Sequence, residues 1–116
     1  MKKIMAANDV FEVEKALDVV MEEHLKLPLN LALKLVKIKR EVSETASYIA
    51  SRVVEIIPKI GGAGVNELTD QEKFLYSGVM ASQVEVDTHG LAESDFSDIA
   101  DVLVELGVAE KIALLF

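Results

Sequence analysis

Between Pro28 and Ile57 the chain runs for thirty residues without an internal proline or glycine. The rest has to be arranged around that stretch. Proline suits the first turn of a helix, where its missing N–H is not needed. Pro58 bars continuation at the far end, and Gly61-Gly62-Ala63-Gly64 then breaks the chain. At about 100° per residue, Leu31, Leu35, Ile38, Val42, Ala46, Ile49, Val53 and Ile56 fall in one stripe with three- and four-residue spacings, the pattern of a buried helix face.

A second stripe lies beside the first: Leu29, Ala32, Leu33, Val36, Ser43, Ser47, Ala50 and Val54. Its middle is small, which suits the close approach of another helix. The polar sector is narrow, made of Asn30, Lys34, Lys37, Glu41, Glu44, Arg52 and Glu55. A helix apolar or small around most of its girth is expected to have neighbours on several sides, from its own chain or from copies of itself. The pairs Lys37–Glu41 and Arg40–Glu44 stand at i,i+4, each adding a few tenths of a kcal/mol. A strict coiled-coil seam is disfavoured, because a sustained heptad would place Thr45 and Arg52 in it.

A chain of 116 residues is expected to form one domain. Three parts are expected in it: a helical hairpin over 9–57, a Gly-rich connector over 58–68 and an acidic helix-strand-helix half over 69–116. Hydrophobic residues make up 51% of the chain, and the mean hydropathy is +0.30. That is high for so small a domain, yet no run approaches the roughly 20 apolar residues of a membrane span. Asn8, Asp9 and Glu12 follow Lys2 and Lys3 too soon for a signal-peptide core. The absence of cysteine fits the cytoplasm. The apolar surplus therefore points to an oligomer or a protein partner.

The net charge of −8 argues against direct nucleic-acid binding, which needs a basic face. The charge is also segregated. Eight acids and no Lys or Arg lie between Phe74 and Glu110, whereas 26–60 holds seven bases against three acids. A solvated acidic face is the plain reading, and attraction between the two halves the sharper one.

Before the central stretch, Met1 to Ala7 reads as an edge strand or a lead-in. Asn8 or Asp9 offers an N-cap for a helix running to about Leu25. Its inner face carries Val10, Val13, Leu17, Val20 and His24, flanked by Phe11, Ala16 and Met21, and its acidic flank suits the basic first half of the central helix. The Lys26-Leu27-Pro28 turn makes the two an αα-hairpin. Beyond the connector, Thr69-Asp70-Gln71-Glu72 is a capping box for a short helix with Phe74, Leu75 and Val79 inward. Gln83 to Thr88 alternates as a half-buried strand. Its partner is the N-terminal segment, the C-terminal Ile112–Phe116, or the same strand of another subunit. Ser94 or Ser97 would cap a last helix bearing Ile99, Val102, Leu103 and Leu106 and ended by Gly107. The apolar tail is expected to dock, in cis or onto a neighbour.

Catalytic chemistry finds little support. His24 has no companion ligand. Asp87-Thr88-His89 is the only clustered ligand set, with Glu85, Glu93 and Asp95 nearby in sequence, and it lacks a fixed third ligand. The glycine run lacks the Lys-Ser/Thr of a phosphate loop. No Cys nucleophile and no serine elbow exist, and Tyr48 and Tyr76 suit packing. No enzyme activity, cofactor or metal is expected.

A short acidic helix, Leu27-Pro28, and a long helix with Ala32, Leu35, Lys37, Tyr48 and Arg52 resemble a group of short proteins of tailed bacteriophages and prophages. The similarity covers the first half, with an echo in Val84-Glu85-Val86. The Gly-rich break and apolar tail depart from the group. The resemblance implies a phage origin and a helical hairpin, and brings no catalytic residues.

The expected fold is mainly α with a minor β element. The expected function is a non-enzymatic interaction module that binds itself or another protein and neither membrane nor nucleic acid. Ala32, Val36, Ser43, Ser47, Ala50 and Val54 are its candidate interface. The alternative is an inhibitor of a defence nuclease whose Glu85, Asp87, Glu93, Asp95, Asp98 and Asp101 mimic phosphates.

Overall fold

The computed structural model describes residues 2–22, 27–58 and 68–116. The order of elements is β1 (Lys2–Ala6), α1 (Ala7–Glu22), α2 (Leu29–Ile56), α3 (Asp70–Ala81), β2 (Gln83–Asp87), a 3-10 turn (Glu93–Phe96), α4 (Ala100–Glu105) and α5 (Ala109–Ala113). The fold is mainly α, built on one long central helix, with a two-stranded antiparallel sheet. His24, the turn residue Lys26, and Gly61 to Gly64 lie outside the described residues.

Pro28 stands just before α2 as its N-cap residue, and its carbonyl accepts from the Ala32 N–H at 2.9 Å. From there the inner stripe is as spaced: Leu31, Leu35, Ile38, Val42, Ala46, Ile49 and Val53 are all buried. Ile56 is the exception and is exposed. The chain leaves helical geometry at Ile57, which turns inward and is buried in its place. The i,i+4 pairs expected on α2 do not form among the described residues. Lys39 instead reaches across to α1, 2.8 Å from Asp18 and 3.8 Å from Glu14, while Arg52 pairs with Glu55. A cross-helix pair fixes the hairpin in a way that a local pair cannot.

Helix α1 buries Val10, Val13, Ala16, Leu17 and Val20 against that stripe. It starts earlier than the expected cap at Asn8 or Asp9. Strand β1 passes directly into the helix at Ala7, whose N–H donates to the Ser82 carbonyl at 2.8 Å. Asp9 therefore lies inside the first turn, where a carboxylate favours the positive end of the helix.

Ser82 joins α3 to β2, and β2 pairs with the N-terminal segment, running from Lys2 opposite Asp87 to Ala6 opposite Gln83. Of the three partners open to this strand, the structure selects β1. Two strands alone are marginal in water. Met5 and Val86 are buried in the common core, which anchors the pair. The capping box of α3 forms as expected: Thr69 Oγ1 accepts from the Glu72 N–H at 3.2 Å, and Glu72 Oε1 accepts from the Thr69 N–H at 3.0 Å. Its inward face differs from expectation. Phe74 is 78% exposed and Leu75 is exposed, while Tyr76, Val79 and Met80 are half-buried. Helix α3 touches the body along one edge only, so an apolar residue on its surface need not face the core.

The expected last helix is replaced by shorter pieces. The Asp95 carboxylate accepts from the Ala92 N–H at 2.9 Å and starts a 3-10 turn there, so neither Ser94 nor Ser97 caps a helix. Gly107 does end α4, with φ of 73°. The Gly107 N–H donates to the Val104 carbonyl and the Val108 N–H to the Leu103 carbonyl, the Schellman pattern. The apolar tail then docks in cis: Ile112 and Leu115 are buried, and the Phe116 ring lies 5.5 Å from that of Phe96 at 43°.

A candidate protein-interaction face

Burying one side of α2 leaves the opposite side bare. Leu29, Leu33, Val36 and Val54 are 73%, 53%, 46% and 41% exposed. They share one flank of the helix, about 140° to 200° round from Leu31 at 100° per residue. Isolated exposed leucines are ordinary, but an aligned set of large aliphatic residues on one helix is not. The molecule is elongated, 47 × 27 × 18 Å. Its thinnest dimension is less than two helix diameters of about 10–12 Å each.

The six expected interface residues fall on or beside this flank. Val36, Ser47, Ala50 and Val54 are exposed, and Ala32 and Ser43 are half-buried. The Ser43 hydroxyl accepts from Lys39 Nζ at 3.0 Å, so it is held in place.

At the C-terminal end of the flank the surface is hollow. An open groove of about 350 Å³ lies between α1, α2 and α3, lined by Phe11, Ala50, Val53, Val54, Tyr76 and Met80 together with Asn8, Glu12 and Lys15. The small side chain of Ala50 and the edge-on seating of α3 create it. Tyr76 and Met80 stand at i,i+4, a spacing that marks one helix face. Their part in the groove was concealed because the more apolar Phe74 and Leu75 competed for the inward side.

The six acids do not act as one set. Glu93, Asp98 and Asp101 are exposed, and Glu85 is exposed with Lys2 3.8 Å away. Asp87 accepts from the His89 N–H at 2.9 Å, and that backbone bond holds its carboxyl below the usual range. Asp95 is held low by the Ala92 N–H and next by the Lys34 ammonium. Those two acids shape turns. His89 has φ of 50°, the left-handed region, as the turn requires. Among the described residues no three His, Asp or Glu side chains gather where a metal could sit.

Among the described residues no helix is long and apolar enough to cross a membrane. Compared with known proteins, the chain matches no protein-family model, no curated protein and no solved structure.

Proposed function

We propose that this chain is a non-enzymatic protein-interaction module that associates with itself through the outer flank of α2, working in a phage or prophage setting inside the cell. The observation that carries this reading is the line of exposed Leu29, Leu33, Val36 and Val54 opposite a fully buried stripe of the same helix. Water leaves such a surface favourably when a matching one covers it, at about 25 cal/mol per Å². The phage setting rests on the resemblance carried by Leu27-Pro28 and the long helix. Ala50→Leu tests the face: a larger side chain on this exposed site disturbs assembly while leaving the helical circular dichroism unchanged. An unchanged oligomer by size exclusion contradicts it.

A second reading, an acidic inhibitor of a defence nuclease, is supported by exposed Glu93, Asp98 and Asp101 in a stretch without Lys or Arg. Phosphate mimicry requires binding that weakens steeply with salt. Salt-insensitive binding to a basic nuclease rules it out.

A further inference from the structure

The bare flank of α2 has an internal order. Leu29, Leu33, Val36, Arg40, Ser43, Ser47, Ala50 and Val54 follow one another at spacings of four, three, four, three, four, three and four. The spacing is heptad throughout, with apolar Leu29, Leu33 and Val36 at one end, Ala50 and Val54 at the other, and Arg40, Ser43 and Ser47 between them. On a straight helix it drifts about 20° per heptad, the drift that two helices absorb by winding left-handed about each other.

We infer that α2 pairs antiparallel with α2 of a second copy along this seam, Leu29 of each chain meeting the partner's Val54. This rests on the reading that the flank serves self-association, and adds the orientation and the register. In that register Leu33 meets the partner's Ala50, Val36 the partner's Ser47 and Arg40 the partner's Ser43. A large side chain faces a smaller one in the outer layers, which keeps the gap between the helices even. The groove supplies the space required. Ala50, Val53 and Val54 are its α2 walls, and in this register Ala50 and Val54 lie opposite the partner's Leu33 and Leu29, so each groove receives leucines from the other copy.

Charge selects the same arrangement. Lys37 and Glu44 flank the seam on one side. Antiparallel pairing brings each Lys37 beside the partner's Glu44, twice by symmetry, and sets Arg40 beside the partner's Glu44. Parallel pairing would set Arg40 level with the partner's Arg40, whereas the antiparallel register staggers the two by three residues, about 4.5 Å along the axis, with a Glu44 beside each. Parallel pairing would also crowd leucine on leucine at one end and leave alanine on alanine near the other.

Cysteine trapping reads the register directly, because the chain contains no cysteine. Two variants of the full chain are made, Val36→Cys and Ser47→Cys, both at exposed positions. Under mild oxidation the mixture is expected to give a disulfide-linked dimer, and each variant alone is not. Like positions at 36 would stand about 16 Å apart along the helix, eleven residues at 1.5 Å each, beyond disulfide reach. A homodisulfide formed readily by either variant alone overturns the antiparallel register. A dimer by mass with no trapping in the mixture overturns the α2 seam but leaves self-association standing. A monomer by mass removes both. Independently of trapping, Lys37→Glu is expected to weaken dimerisation about tenfold, with Glu44→Lys in the same chain restoring it. Failure of that restoration contradicts the pairing.

Discussion

Lys34 Nζ lies 3.1 Å from Asp95 Oδ2, across sixty-one residues of sequence. The pair ties the first turns of α2 to the 3-10 turn that opens the C-terminal pieces. It is the described contact in which the basic central helix and the acidic half attract one another within one chain.

Acid is predicted to loosen this clasp. The folded state holds the Asp95 carboxyl below its ordinary value, through the Ala92 N–H first and Lys34 second. A depressed carboxyl stabilises the fold fully above its unfolded value of about 3.9, and that contribution fades as pH falls through the lower folded value. Asp95→Asn should flatten the loss of stability below about pH 4, measured by urea unfolding over a pH series. At neutral pH it should cost about 0.5–1 kcal/mol, since both side chains are partly exposed. An unchanged acid slope contradicts the assignment.

The two leucines Leu35 and Leu33 separate the faces of α2. Leu35→Ala removes a fully buried side chain and should cost about 2–5 kcal/mol. Leu33→Ala, made on the bare flank, should change the stability of the unassociated chain by less than about 0.5 kcal/mol. Thermal unfolding of dilute protein checks both. Equal losses would mean that the chain itself covers the outer flank.

Gly107 offers a conformational test free of steric interference. Its φ is 73°, and a Cβ built there meets nothing within 4 Å. Gly107→Ala should therefore cost about 1–2 kcal/mol, the penalty of the left-handed conformation alone. A neutral result in chemical denaturation would show that α4 ends without that turn.

The legible parts of this fold are those where a local signal suffices. Pro28 and Pro58 bracket α2, the Thr69–Glu72 box starts α3, and Gly107 stops α4, each through backbone bonding that neighbours in sequence decide. The misread parts depend on tertiary company. Phe74 reads as core by its chemistry, yet α3 lies along the edge of the body and presents Phe74 to water. Phe96, buried at 2% exposure, escaped notice because its partner Phe116 lies twenty residues on. The candidate face was half legible. Its apolar residues can be read directly from their spacing, whereas the exposure of Leu33 and Val54 depends on where α1 and α3 pack.

Absolute mass in solution tests the central claim most directly. Light scattering behind a sizing column, at two salt concentrations, should give twice the chain mass of 12.7 kDa at both. The apolar ends of the seam resist the screening that dissolves surface ion pairs. A mass of one chain at every concentration and both salts contradicts self-association, and leaves the outer flank of α2 to a partner of another kind.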